Sequence, residues 1–330
     1  MDTKKTRIVV TRRIPDRALA LLRASAETWV SPHDRPLTVG ELHDAVAGAS
    51  AVIALLHDTI DDALLDAAGP DLRIIANVAV GYDNLDLESC ARRGVIATNT
   101  PGVLTEATAD IAFALILMST RRLGEAERLV RTGTPWSWSM GFHLGSGIQG
   151  KTLGIVGLGQ IGQATARRAR AHGMNVVYSS RRRVGPEVED DLAARFLSFD
   201  ELIARADVVS LHCPLTAETR RMVDASVLSR MKATAFLINT TRGQGVDECA
   251  LVDALRDGTI AGAGLDVYEH EPIVHPGLLE IENVTLLPHL GSSTIEARAA
   301  MAILAARNVV AVLSGEAPLT PISGLNHSRV

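Results

Sequence analysis

TLGIVGLGQIGQATARRARAH, Thr152 to His172, sets an apolar strand, a glycine turn and a helix in immediate succession. A lone GxGxxG is weak evidence, because glycines punctuate many turns. Between a strand (Thr152 to Val156) and a helix (Ile161 to His172), the same spacing has a mechanical reason. Gly157 permits the tight turn, Gly159 lets a pyrophosphate approach the backbone, and Gly162 lets the helix pack closely on the strand. The helix start at Gln160 and Ile161 offers N–H groups and a partial positive charge to phosphate. The expectation is a dinucleotide-binding α/β domain, and the bland alternative is a glycine-rich turn in another α/β protein.

About 20 residues beyond such glycines, NAD-binding domains place Asp or Glu to hold the ribose 2′-OH. Here the stretch is YSSRRR, Tyr178 to Arg183. An acid there would repel a 2′-phosphate. Ser180 offers a hydroxyl donor instead, and Arg181 and Arg182 offer charge and forked geometry suited to phosphate oxygens. NADP(H) is the favoured cofactor and NAD(H) the alternative. The bland reading is a solvated arginine loop.

Strand and helix alternate in both directions from this point. TLGIVG, MNVVYSS, DVVSLHC, TAFLINT, AGAGLDV and NVTLLP read as six strands, the number that a complete dinucleotide-binding sheet needs. Upstream, RIVVT (7–11), AVIALL (51–56), RIIANVAV (73–80) and VIATN (95–99) read as strands, with helices over 14–25 and near 38–47, 61–69 and 86–93. Strands separated by helices predict parallel sheets covered on both faces. A substrate-binding domain is expected over 1–101 and 290–330, and a dinucleotide-binding domain over 102–289. A long apolar helix at 105–122, which Thr105 could cap, and a final helix at 294–314 are the natural connectors. The stretch GTPWSWSMGFHLGSGIQG (133–150) is irregular and carries two of the three tryptophans.

With 330 residues, 47% of them apolar, the chain can bury two cores. A formal charge of −5 argues against a general nucleic-acid binder. Cys90, Cys213 and Cys249 form no CxxC pair; they fit a reducing cytoplasm, with neither a disulfide framework nor a zinc site. The start MDTKKTRIVVT has no apolar signal region. The longest apolar run, ADIAFALILM (109–118), is too short to span a bilayer. A cytoplasmic protein with no metal, no membrane and no nucleic-acid partner is expected.

Three polar motifs follow the carboxyl ends of strands, where open α/β sheets place ligands: NTTRG (239–243), EHEP (269–272) and LPHLGSS (287–293). Together with NVAVGYDNLD (77–86), NTPGVLTEATADIAFAL (99–115) and GLGQIG, they resemble the D-isomer-specific 2-hydroxyacid dehydrogenase family in order and spacing. The likeness runs from about residue 5 to about residue 320 and is greatest to the glyoxylate and hydroxypyruvate reductases. It implies two Rossmann-like α/β domains, a flavodoxin-like substrate domain and a doubly wound dinucleotide-binding domain. It implies reduction of a small 2-keto acid to the D-2-hydroxy acid by hydride from NAD(P)H.

The resemblance also implies roles. Arg242 would clamp the keto acid through its carboxylate and keto oxygen. His289 would hand a proton to the keto oxygen, and Glu271 would bond the far ring nitrogen, fix the tautomer and favour the charged ring. The Val80 and Gly81 N–H groups would hold the substrate carboxylate. Thr108 and Asp266 would lie toward the cofactor, with His212, Cys213 and Pro214 along the adenosine side and Thr219 nearby. Thr240, Thr241 and Gly291 complete the cofactor set. The segment at about 105–150 would build a homodimer, with Trp138 or Phe142 reaching the partner's active site; the rival is core packing. His270 would face solvent, and His143 could lie near the site. The loop around 55–57 would help choose the substrate.

Rival readings are weighed on the same residues. Phosphite dehydrogenases have a lysine where Val80 stands, and formate dehydrogenases lack the carboxylate that Glu271 supplies. A phosphoglycerate dehydrogenase-type enzyme would carry an acid after the second strand. A cofactor-sensing corepressor-like scaffold keeps Arg, Glu and His, and only turnover separates it.

Overall fold

A computed structural model of the protein describes residues 6–322. The chain divides into two compact units. Residues up to Leu104 and from Thr294 onward form one, and Thr105–Ser293 forms the other. These breaks fall a few residues beyond the 101 and 289 read from the sequence.

The first unit runs β1 (Arg7–Val10), α1 (Asp16–Ser25), β2 (Glu27–Val30), α2 (Val39–Val46), β3 (Ala51–Ala54), α3 (Asp62–Ala68), β4 (Ile74–Asn77), α4 (Leu87–Arg92) and β5 (Ile96–Thr98). The strands pair in parallel in the order β2-β1-β3-β4-β5, the flavodoxin-like arrangement. Every residue of β3 and β4 is buried, as expected where helices cover both faces of a parallel sheet. Side-chain oxygens start α2, α3 and α4. Thr38 and Glu41 form a capping box on α2, and Asp61 and Asp86 cap α3 and α4.

The second unit opens with α5 (Thr105–Thr120) and α6 (Leu123–Arg131). It continues through β6 (Thr152–Val156), α7 (Gln160–Ala171), β7 (Asn175–Ser179), α8 (Pro186–Leu192), β8 (Ala194–Phe196), α9 (Phe199–Arg205) and β9 (Val208–Leu211). Then come α10 (Ala225–Arg230), β10 (Phe236–Asn239), α11 (Glu248–Arg256), β11 (Gly262–Leu265), α12 (Pro276–Leu279) and β12 (Val284–Leu286). Its parallel sheet has the order β12-β11-β10-β9-β6-β7-β8. That is the doubly wound order with one further strand, and its direction reverses between β6 and β9. Helix α5 lies on β10 and β11 with Leu115 and Ile116 fully buried. Gly264 of β11 makes this approach possible: a Cβ there would lie 2.8 Å from Ser119 Oγ and 3.0 Å from Leu115 Cβ.

The last helix, α13 (Ile295–Leu313), belongs to the first unit. Ala302, Ala305, Ala306 and Val309 bury its inner face against the core beneath β3 and β4. The Arg73 side chain donates to the terminal carbonyls of Val312 and Leu313, where a cation also suits the helix dipole.

Two strands escape the sequence reading, and one helix ends earlier than expected. Strand β2 is an edge strand with no fully buried residue. Strand β8 is only Ala-Arg-Phe, following the charged run of α8. Helix α5 ends at Thr120, not at 122: Arg122 takes a left-handed φ of 54° and the chain turns into α6. Thr105 is the first residue of α5.

Candidate active site

The glycine turn joins β6 to α7, beside the reversal of strand order. Two of its glycines are required by the chain's own packing. Gly157 has φ 98°, and a Cβ there would lie 2.8 Å from the backbone of His212 and Cys213 at the end of β9. A Cβ on Gly162 would lie 2.4 Å from the Gly157 carbonyl oxygen. Gly159 differs: a Cβ there would meet no atom within 4 Å. Open space above one glycine, at the start of a twelve-residue helix, is what an incoming phosphate needs. These residues fit a nicotinamide dinucleotide.

At the end of β7, Ser180 Oγ accepts the Leu158 N–H at 2.8 Å. This ties the stretch to the glycine turn and leaves the hydroxyl proton available to a ligand. Arg183 is already engaged: it grips Glu189 at 2.8 and 2.6 Å, and the Tyr178 hydroxyl donates to the same carboxylate at 2.6 Å. Those bonds hold the Glu189 carboxyl down at about 2. Arg181 and Arg182 are exposed and make no ion pair among the described residues.

The adenosine-side residues are more internally engaged than expected. Thr219 donates to the Pro214 carbonyl and accepts the Thr216 N–H, both at 2.7 Å. The Cys213 thiol points to Met222 sulfur at 3.6 Å, and burial pushes its pKa up. His212 Nε2 pairs with Ser210 Oγ at 2.9 Å, while burial pushes the ring down to about 4 and keeps it neutral near pH 7.

The catalytic candidates come from three loops at strand ends in this same unit. After β10, the buried Asn239 organises the turn: it accepts from Thr241 N–H at 3.0 Å and Oγ at 2.9 Å, and donates to the Arg242 carbonyl at 2.9 Å. Arg242 follows, half-buried, its guanidinium donating to the Thr241 carbonyl at 2.9 Å. A Cβ on Gly243 would lie 1.8 Å from the Tyr268 carbonyl carbon. The Arg242 turn therefore rests directly on the loop after β11, where Gln244 Nε2 also donates to the Glu269 carbonyl at 2.9 Å.

Glu271 closes that loop. One carboxylate oxygen accepts the Tyr268 N–H at 3.0 Å and the other meets His289 Nδ1 at 2.7 Å. Burial pulls the Glu271 carboxyl up, but the His289 bond and charge, the Tyr268 N–H and the Arg242 charge outweigh it, and its pKa lies below the ordinary value. With an ionised carboxylate at Nδ1, that nitrogen carries a proton. Nε2 has no bond among the described residues. His289 sits at φ 56°, a strained conformation for a side-chain-bearing residue.

Asp266 accounts for that conformation. Its carboxylate accepts the Leu290 N–H at 2.6 Å and the Gly291 N–H at 2.8 Å. It is fully buried and anchors the histidine turn; burial pushes its pKa up against the pull of the two N–H groups. The buried Thr108 lies against Gly291, whose Cβ would meet its methyl at 3.3 Å. Thr240 is buried, and its hydroxyl has no partner among the described residues. Glu248, which the sequence reading missed, accepts the Glu269 N–H at 2.8 Å from beneath the same loop.

Val80 and Gly81 lie in the first unit, half-buried on the loop after β4, and their N–H groups have no acceptor among the described residues. His270 is exposed. His143 bonds the Arg122 carbonyl at 3.1 Å and is not brought to the catalytic cluster. The tryptophan stretch is not core: Trp136 is 57% and Trp138 77% exposed, with Trp136 stacked on Phe142 at 5.8 Å. No group of side chains suited to a metal occurs among the described residues. No described helix is long and apolar enough to cross a membrane.

Residues 113–291 match the family described as D-isomer specific 2-hydroxyacid dehydrogenase, NAD binding domain. The chain is 47% identical over 320 residues to the glyoxylate reductase of Thermococcus litoralis, covering 95% of this chain and 96% of that one. It is similar to the structure of the NADPH-dependent glyoxylate/hydroxypyruvate reductase of Sinorhizobium meliloti in complex with NADP and malonate: 37% identity, TM-score 0.85, 99% of both chains. A glyoxylate reductase structure from Paecilomyes thermophila matches at 34% identity and TM-score 0.88, covering 97% and 98%.

The depressed Glu271 carboxyl makes stability depend on pH. A group held below its unfolded pKa stabilises the fold above that unfolded value, and the contribution is lost as pH falls through the folded one. Glu271→Gln should therefore lower the melting temperature at neutral pH, and the difference should begin to shrink as pH falls below about 4. A constant difference from neutral to acid pH would show that the pair adds no charge-dependent stability.

Proposed function

As a member of the D-isomer specific 2-hydroxyacid dehydrogenase family, this chain is an oxidoreductase, and we infer that it reduces a small 2-keto acid of the glyoxylate or hydroxypyruvate type to the D-2-hydroxy acid with NAD(P)H. The observation that carries this reading is the Glu271–His289 bond at 2.7 Å, on strand-end loops of the unit that holds the glycine turn. No acid follows β7, so a phosphoglycerate dehydrogenase-type preference gains no support. Nothing favours the cofactor-sensing scaffold.

Gly157, Gly159, Gln160, Ile161 and Gly162 would hold the cofactor pyrophosphate, and Ser180, Arg181 and Arg182 the adenosine ribose end. Bound there, the reduced nicotinamide supplies the hydride. Arg242 binds the substrate carboxylate and keto oxygen in a forked geometry that one planar guanidinium can span. The Val80 and Gly81 N–H groups hold the carboxylate. Glu271 keeps a proton on Nδ1, so the ring able to act as an acid is the imidazolium. Its Nε2–H passes to the keto oxygen as C2 is reduced, and a neutral ring with Nδ1–H remains. The Glu271 charge stabilises the imidazolium before transfer and holds the tautomer afterwards.

We infer NADPH over NADH. Ser180 keeps a free hydroxyl proton, two of the three arginines remain available, and no carboxylate stands to repel a 2′-phosphate. A homodimer is also proposed. Helix α6 buries none of its residues, and Trp136, Trp138, Met140 and Leu144 expose 57–81% of their surface close together in sequence. Apolar exposure of that extent marks an interaction surface. The free, scattered cysteines suit a cytoplasmic location.

A panel of 2-keto acids with NADPH should show turnover with glyoxylate or hydroxypyruvate, and His289→Asn should lower kcat by ~10²–10⁴-fold with cofactor binding intact; a variant keeping half its kcat, where chemistry limits turnover, removes His289 from the proton step. Replacing Arg181 and Arg182 together by Ala should cost NADPH roughly ten- to a hundredfold in kcat/KM and leave NADH nearly unchanged. Equal losses with both cofactors would assign the arginines no phosphate. Sedimentation should report a dimer that Trp138→Glu converts to monomer; a monomeric parent at micromolar concentration would refute the interface.

A further inference from the structure

We propose that three carboxamides of the first unit are positioning residues for the loop whose Val80 and Gly81 N–H groups would hold the substrate carboxylate: Asn99 aims the Gly81 N–H, and Asn77 and Asn84 brace the loop around it, an inference that rests on the role just given to those groups. A trans peptide holds its C=O and N–H on opposite sides. Bonding one residue's carbonyl therefore fixes where the next residue's N–H points. The Thr100 N–H donates to the Ala79 carbonyl at 2.8 Å, which orients the N–H of Val80. Asn99 Nδ2 donates to the Val80 carbonyl at 2.8 Å, which orients the N–H of Gly81. Asn77 Nδ2 donates to the Gly81 carbonyl at 3.0 Å and secures the far side of the loop. Three consecutive carbonyls are thus held from behind, and the N–H groups of Val80 and Gly81 are left without acceptors among the described residues.

The carboxamides also join two loops. Asn77 is fully buried and pairs reciprocally with Asn84, Nδ2 to Oδ1 at 3.1 Å in one direction and 3.3 Å in the other. Asn84 Nδ2 donates in addition to the Asp58 carbonyl at 3.0 Å and the Leu55 carbonyl at 3.3 Å. Strands β3 and β4 are neighbours, so the relay locks the segment expected to sense the substrate's side chain to the segment that would hold its carboxylate. None of these side-chain bonds caps a helix or completes a sheet ladder. All of them fall on the carbonyls of these two loops or between the amides themselves.

Asn99→Asp tests the relay, because it keeps the shape and replaces the donor by an acceptor while ionised. The KM for the keto acid should rise roughly ten- to a hundredfold, with kcat at saturation and the NADPH dissociation constant little changed. A protonated carboxyl donates again. The variant-to-parent KM ratio should therefore fall toward one between about pH 8 and about pH 5, helped by the raised pKa of a half-buried acid. Asn99→Ser, whose short hydroxyl cannot span to the carbonyl, should show the KM rise without the recovery, and it serves if the first variant does not fold. A role in closing the loop alone would lower the melting temperature and leave the KM ratio near one at every pH. That outcome, in a parent that reduces 2-keto acids, overturns the relay. A parent that reduces no 2-keto acid overturns the role of Val80 and Gly81 itself, and the relay with it.

Discussion

The corner that holds Glu271 and His289 depends on one buried carboxylate. Asp266 has no exposed surface, and a charge in that position is tolerable only if its oxygens are satisfied. Two consecutive backbone N–H groups, of Leu290 and Gly291, satisfy them. Two adjacent N–H groups converge on one carboxylate only when the chain turns sharply, and the left-handed φ of His289 is that turn. The imidazole then meets Glu271 with one nitrogen, and the other has no bond among the described residues. The strain at His289 is thus offset by hydrogen bonds one and two residues further along the chain.

A second constraint is steric. Gly243 lies so close to the Tyr268 carbonyl that no side chain fits between them. The Arg242 turn and the Glu271 loop are therefore fixed in relation to each other by backbone contact, not by flexible side chains. Gln244 reinforces the contact through the Glu269 carbonyl, and Glu248 and Arg221 hold Glu269 from below and from the side. A cation and a carboxylate–imidazole pair supported by main chain lose little order when a substrate arrives, and such preorganisation favours catalysis.

Much of this was legible in the sequence. The glycine turn, the strand-end motifs and the alternation of strand and helix gave the two parallel sheets and the family. Arg242, Glu271 and His289 were visible because chemistry-bearing residues sat just past apolar strands. What stayed hidden was of two kinds. Edge elements such as β2 and β8 are short, half-exposed and charged, so their hydrophobic pattern is faint. Residues such as Glu248, Asn239 and Asn84 act through backbone N–H and C=O groups away from their own position in the chain, and no spacing rule announces such a partner. The exposure of the tryptophan stretch was equally unreadable, because an apolar residue looks the same in sequence whether it enters a core or covers a neighbour.

The Ser180 hydroxyl has a double duty with a consequence for how cofactor preference changes in such proteins. It stands at the end of β7, where we place the adenosine ribose of the cofactor, and it accepts the N–H of Leu158, inside the glycine turn itself. Whatever replaces it must still satisfy that N–H, or the loop that receives the pyrophosphate loosens. A carboxylate introduced there would be drawn to the turn as well as to the ribose. On the proposed assignment, the residues that choose the cofactor and those that grip it are therefore mechanically joined at this corner. A drift from one cofactor to the other would require compensating changes in the glycine turn, and the two segments are expected to evolve as a pair.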